Sequence, residues 1–260
     1  YGNKKVDSAV KKAVNLGNLS TLNCKEEVLL SEKLIEIHPW ADMCKLTRSG
    51  GEANNVAIRI ARSFTKRHKI AVCGYHGWHD WYLAANLKKT NKLDNHLMKG
   101  INPNGVPKVL AGTIYTFNYN DFTELKKIIK NDKQVGIIKM EVSRNYLPKN
   151  NFLKKIRDLC DEKKIILIFD ECTSGFRQTF GGLHKLYNVA PDMAIFGKAI
   201  GNGYAINAII GKKEIMLKAD NTFLSSTFWS ERIGPTAALA TLEEMKKNKT
   251  WKLITEKGHY

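Results

Sequence analysis

Lys198 is the first residue placed to do chemistry: it follows the apolar run Met193-Ala194-Ile195-Phe196 and then Gly197. Long cationic side chains avoid cores, so a lysine in this setting has a use or an escape route. Partial burial lowers an amine's pKa and makes it a nucleophile toward a carbonyl. The bland alternative is a lysine snorkelling from a strand end. A nucleotide-phosphate loop is excluded, because the residues before Lys198 do not read GxxxxGK[ST] and Ala199 has no hydroxyl for a metal. Asp170 shifts the balance. It ends the run Ile165-Ile166-Leu167-Ile168-Phe169, where a carboxylate is costly unless a cation meets it. A pyridinium nitrogen is such a cation, and an aspartate beside it keeps the ring protonated and able to accept electrons. A helix cap or a metal ligand would be the other uses, but no His or carboxylate triad accompanies Asp170 beyond Glu171.

Two further groups join them. Ser49-Gly50-Gly51 opens a helical stripe at Glu52. Glycines at such a point let backbone N–H groups approach a phosphate, whose charge the helix dipole favours. Taken singly, the same residues are only a capped turn. Tyr75 and His76 follow the apolar run Ile70 to Cys73, and an aromatic ring there can lie over a flat ligand. His76 and His79 have metal-ligand spacing but lack a third ligand nearby, so no metal is expected. Trp78 and Trp81 read as packing residues or pocket walls.

The elements that must position these residues alternate in period. Ala53, Val56, Ala57, Ile60, Ala61 and Phe64 form one helical stripe over residues 52–67, with Ser49 as N-cap and Glu52 completing a capping box. Apolar runs at Val135 to Met140, Ile165 to Phe169, Met193 to Phe196 and Ile206 to Ile210 predict strands, the first of them buried on both faces. Helical faces fall at Phe152 to Cys160 and Ile233 to Met245. Strands alternating with helices predict an α/β domain with a mostly parallel sheet flanked by helices, in which chemistry gathers at the carboxyl ends of strands. No repeat or linker divides residues 1–260, so one domain is expected.

Bulk properties narrow the class. Hydrophobic residues make up 43% and charged residues 26% of the chain, close to globular averages. No apolar run is long enough to span a bilayer. The five cysteines are odd in number and contain no CxxC, which argues against a disulfide framework or zinc site and for a reducing cytoplasm. The net charge of +17 raises the question of nucleic acid. The basic residues are scattered as pairs such as Lys4-Lys5, Lys126-Lys127 and Lys212-Lys213, without an interleaved aromatic stripe, and read as solvated surface.

Four motifs together resemble the class III aminotransferases, and within them the glutamate-1-semialdehyde aminomutase-like branch. They are Arg48-Ser49-Gly50-Gly51-Glu52-Ala53, Gly74-Tyr75-His76-Gly77, Asp170-Glu171-Cys172-Thr173-Ser174-Gly175-Phe176-Arg177 and Phe196-Gly197-Lys198-Ala199-Ile200-Gly201-Asn202-Gly203. The resemblance implies the large domain of a fold type I enzyme that uses pyridoxal 5'-phosphate to move an amino group from a small amino donor to a carbonyl acceptor. It implies that Lys198 forms the Schiff base and shuttles the substrate's α-proton, with Asp170 and Tyr75 as the other catalytic groups. Asp170 would meet the ring nitrogen, and Tyr75 would stack on the ring. Ser49, Gly50 and Gly51 would hold the phosphate, with His76, Glu141, Asn145 and Thr173 around the cofactor. Thr227 would reach the phosphate of a neighbouring subunit, making a homodimer with a shared active site. An intramolecular aminomutase, or an inactive cofactor-binding fragment, would be the alternatives.

The sequence departs from the family's pattern in places. The usual Ser-Gly-Thr-Glu-Ala reads Ser-Gly-Gly-Glu-Ala here, removing a hydroxyl worth about 1 kcal/mol of phosphate affinity. Val142 follows Glu141 where proline is common. The chain also begins and ends where an N-terminal segment and a smaller C-terminal domain would be expected to attach.

Overall fold

Seven apolar segments pair into one sheet: β1 (Met43–Thr47), β2 (Lys69–Cys73), β3 (Ile114–Thr116), β4 (Val135–Met140), β5 (Ile166–Glu171), β6 (Met193–Phe196) and β7 (Asn207–Gly211). The computed structural model describes residues 1–19, 21–89 and 91–258. Its sheet order is β1-β7-β6-β5-β4-β2-β3. Strand β7 runs against both of its neighbours, β6 and β1, whereas the β2–β3, β2–β4, β4–β5 and β5–β6 pairs are parallel. The expected α/β architecture with a mostly parallel sheet is therefore present.

Around the sheet lie helices α1 (Lys4–Asn15), α2 (Lys25–Ile37), α3 (Gly50–Thr65), α4 (Asp80–Leu83), α5 (Phe122–Asn131), α6 (Phe152–Lys163), α7 (Lys213–Met216), α8 (Ile233–Asn248) and α9 (Thr250–Gly258). Among the described residues none is long and apolar enough to cross a membrane. Alternation along each strand decides which helix it feeds. On β5, Ile166 and Ile168 pack under α3 with Ile137 and Ile195. Leu167 and Phe169 pack on the opposite face with Leu153 and Ile156 of α6. A separate cluster seats α2 and α8 on β6 and β7 through Leu30, Leu34, Phe196 and Ile210. Burial of each such aliphatic side chain is worth about 1.5–3 kcal/mol.

Several boundaries differ from expectation for local reasons. Helix α3 starts at Gly50 and ends at Thr65, because Lys66 turns left-handed at φ 56. The Ser49–Glu52 capping box is formed as read from the sequence. Strand β5 continues through Asp170 and Glu171, which pair with Ile195 and Phe196 of β6, so the two carboxylates lie within the strand and not after it. Consecutive in a strand, they face opposite sides. Glu171 is fully buried and accepts hydrogen bonds from Leu183 N and from His184 Nδ1, while Trp40 Nε1 donates to His184 Nε2 at 2.9 Å.

His38 stacks on Phe196 in the same region and is fully buried. It lies with Nδ1 2.8 Å from Leu34 O, while Gly182 N donates to its Nε2 at 2.9 Å, so the ring is neutral with the proton on Nδ1. Burial pushes its pKa down to about 3. A histidine depressed in this way stays uncharged when folded, whereas the unfolded chain takes up a proton below about pH 6.5. Its contribution is present above that value and is lost as the pH falls toward 3. Between pH 7 and pH 5 the expected loss from this residue is about 2 kcal/mol. Urea unfolding of the chain and of His38→Leu at both pH values checks it: the variant should lose that much of the pH dependence, and an unchanged slope refutes the assignment.

Candidate active site

Asp170, on the α3 side of β5 and only 4% exposed, is the centre of a charged cluster. His76 Nδ1 lies 2.9 Å from its Oδ2, and His76 Nε2 lies 3.2 Å from the Cys73 carbonyl. Both imidazole nitrogens thus face oxygen acceptors, one on β5 and one at the end of β2. The Cys172 N–H donates to Asp170 Oδ1 at 3.2 Å. His76 is itself buried, with its polar atoms committed to Asp170 and Cys73. It therefore orients Asp170 and does not face the open side of the site.

A lysine that the sequence pattern does not single out completes the cluster. Lys139 sits inside β4, fully buried, with Nζ 3.6 Å from Asp170 Oδ2 and no hydrogen-bond partner among the described residues. Burial opposes the charge on Asp170, but attraction to Lys139 and then the His76 bond outweigh it. Together they hold the Asp170 carboxyl well below the usual carboxylate range. The apolar run Val135 to Met140 conceals this lysine, although a charged residue inside an otherwise apolar strand is itself the signal.

The partial burial expected of Lys198 is not found: its side chain is exposed. Gly197 packs so closely on Asn207 that any Cβ would collide with the amide. The chain then leaves the sheet through Lys198 itself, in the left-handed region at φ 45. Lys198 Nζ donates to Thr173 Oγ1 at 2.8 Å, across the open carboxyl edge of the sheet. Such a backbone state costs a non-glycine residue on the order of 1–3 kcal/mol and concentrates at functional sites. Lys198 follows β6 and Asp170 lies on β5, adjacent strands about 4.8 Å apart.

The start of α3 closes one side. Gly50 lies against Cys172 Sγ and Asn207 Nδ2, and Asn207 donates to Cys172 Sγ at 3.4 Å. Arg48 ties this corner to Glu231 by an ion pair of 2.8 Å. Ser49 Oγ accepts from Glu52 N, so its hydroxyl is engaged in the cap. Gly51 explains the missing threonine: a Cβ there would stand 2.5 Å from His79 Cε1 and 3.0 Å from Nδ1. His79 fills that space, and its Nδ1 is buried without a partner among the described residues. Gly51→Thr is accordingly expected to destabilise the chain by about 1–3 kcal/mol through overpacking, and adding His79→Ala should recover most of it. Chemical denaturation of the single and double variants decides, since additive effects would mean the two sites do not touch.

On the other side, Gly74, His96, Glu141, Arg144, Asn145 and Tyr146 line a cavity of about 560 Å³, within the range of small-molecule sites. Glu141 Oε2 accepts from Tyr75 N at 3.0 Å and from Arg144 Nε at 2.7 Å. The Arg144 guanidinium lies 5.7 Å from the Tyr75 ring centre. Asn145 is exposed at the cavity rim. Thr227 is also exposed, at the start of a short 3-10 turn, and lies between the exposed rings of Phe223 and Phe228 in sequence. Trp78 is exposed and Trp81 buried, so only the latter is a packing residue.

These groups suit a flat, phosphorylated aldehyde. An exposed amine and a buried carboxylate stand on adjacent strands. The first N–H groups of α3 have no partner within the helix. The buried, unpartnered His79 Nδ1 lies beside them. The family model "Aminotransferase class-III" matches residues 1–260. The chain belongs to the class III aminotransferase family. Among relatives of this family member, a 3-aminobutyryl-CoA aminotransferase of Cloacimonas acidaminovorans is 38% identical over 99% of the chain and 60% of its own length. A glutamate-1-semialdehyde 2,1-aminomutase of Methanococcus vannielii is 33% identical over 94% of the chain and 58% of its own. An omega-transaminase structure from Sphaerobacter thermophilus superposes with a TM-score of 0.84 at 24% identity, covering 94% of the chain and 59% of that protein, a likeness of fold. The chain thus spans about 60% of the length of the class III relatives it matches.

Proposed function

We propose that this class III family member is the large, cofactor-binding domain of a pyridoxal-phosphate-dependent aminotransferase, passing an amino group from a small amino donor to a carbonyl acceptor. The observation that supports the reading is that Lys198, Asp170 and the glycine-opened start of α3 each touch the Cys172–Thr173 turn at the end of β5. Bound pyridoxal phosphate would supply an aldehyde carbon for amines and a ring that takes up electrons released at the substrate carbon. Every other task falls to the chain. Lys198 Nζ would hold the cofactor's aldehyde carbon, and as a free amine it would move the proton at the substrate's α-carbon. The Asp170 carboxylate would keep the ring nitrogen protonated, with His76 aiming it. The N–H groups of Gly50 and Gly51, beside Ser49, bind the phosphate, and Thr173 steadies the Lys198 amine.

Tyr75, its backbone fixed by Glu141, would cover one face of the ring, and Asn145 would stand at the rim of the neighbouring cavity. Exposed Phe223 and Phe228 beside Thr227 support a homodimer in which Thr227 serves the neighbouring subunit's phosphate. Five free cysteines support a cytoplasmic setting. Borohydride reduction in the presence of pyridoxal phosphate, followed by peptide mapping, tests the reading: the label is expected on Lys198, and a label elsewhere or none overturns it. The aminomutase relatives support a second reading, an intramolecular transfer. Product analysis separates the two, because a mutase needs no second keto substrate for each turnover.

A further inference from the structure

If Asp170 holds the ring-nitrogen proton, one more residue acquires a role, and that role rests on the cofactor reading. We propose that Lys139 is a positioning residue that acts through Asp170: its buried ammonium is a standing counter-ion that keeps the carboxylate charged before and during cofactor binding. The geometry is specific. Lys139 lies opposite Ile168 in the β4–β5 ladder, in a layer otherwise made of Ile137, Ile168, Ile195 and the apolar face of α3. Burial pulls the Lys139 amine below the usual lysine range and the charge of Asp170 opposes that loss, because a lysine in such a layer keeps its charge only beside an opposite one. Asp170 Oδ2, at 3.6 Å, is its ion-pair partner among the described residues. Lys139 Nζ makes no hydrogen bond there, whereas His76 bonds the same oxygen at 2.9 Å. The two groups thus divide the work: His76 supplies direction, and Lys139 supplies charge.

Other ionisable groups surround the pair without replacing Lys139. Glu141 at the end of β4 is engaged by Arg144 and by Tyr75 N. Cys172 follows β5 and makes its backbone bond to Asp170. Lys198, after β6, is turned toward Thr173. The α3 residues of this layer, Ala53, Val56, Ala57 and Ile60, bring no charge. Without Lys139, desolvation drives Asp170 toward the neutral acid, which cannot accept the ring proton.

The test uses Lys139→Met, Asp170→Asn and the double variant in the full chain. In thermal unfolding without pyridoxal phosphate, Asp170→Asn strands the Lys139 charge, and the double variant is expected to regain roughly 5 °C or more of Tm over Asp170→Asn alone. A double variant no more stable than Asp170→Asn overturns the proposal. Pyridoxal phosphate affinity is then measured by absorbance titration at pH 8 and pH 5.5. The ratio of the Lys139→Met Kd to the wild-type Kd is expected to rise about tenfold at the lower pH, where a carboxyl stripped of its counter-ion and still desolvated is mostly the neutral acid. Identical pH profiles overturn it. Lys139→Gln, which keeps a donor but no charge, is expected to follow Lys139→Met; wild-type behaviour would show that charge is not the contribution and would overturn the proposal as well. Failure of the cofactor reading looks different: Asp170→Asn would bind pyridoxal phosphate as tightly as wild type at both pH values, while the unfolding cycle still judges Lys139.

Discussion

On the proposed function, alanine at position 198 is expected to lower kcat by roughly 10⁴-fold, the upper range for loss of a positioned proton-transfer group that would also hold the cofactor. The backbone should tolerate the change, because alanine meets the same left-handed φ of 45 that lysine already occupies. The side chain is exposed, so little packing is lost. Lys198→Ala is thus expected to unfold at nearly the wild-type temperature while losing turnover and the borohydride label together. Steady-state kinetics with a keto acid acceptor, alongside a melting curve, provide the check. Turnover within tenfold of wild type would remove Lys198 from the reaction.

The second large effect is on stability. Asp170→Asn keeps the shape of the side chain and removes its charge. Lys139 then remains buried beside an amide that does not neutralise it. Breaking a buried pair in this way costs about 3–5 kcal/mol. Urea unfolding at pH 7 should show that loss in the absence of any cofactor, and a change below about 1 kcal/mol would mean that the cluster is not ionic.

Much of this site is legible in the residues because chemistry and fold leave separate marks. Strands β4, β5 and β6 announce themselves as apolar runs, the signature of parallel strands covered on both faces. Ser49 and Glu52 mark the start of α3 through an interaction confined to four residues. Strand β1 escapes such a reading because its first three residues are only half buried and include Lys45. Strand β3 has three residues, too few for a period. The amphipathic spacing of Val6, Val10 and Ala13 after the Asn3 cap is a signal for α1 that a reading centred on the strands leaves out. The fate of the charged residues is harder to read. Gly197 is required because Asn207, ten residues away, leaves no room for a side chain there. The absence of threonine at position 51 looks like a lost contact until His79 is found in its place. Such facts belong to residue pairs brought together by the sheet, and no local pattern carries them.

Strand β5 presents Asp170 to one side of the sheet and Glu171 to the other, each met by its own histidine, His76 and His184. A slip of one position would exchange the two sides. Each acid would then lose its histidine, and the aliphatic residues before them would trade layers at the same moment. Adjacent acids of opposite orientation therefore act as an alignment key for the central strand, rejecting misthreaded arrangements of the chain before any ligand is present.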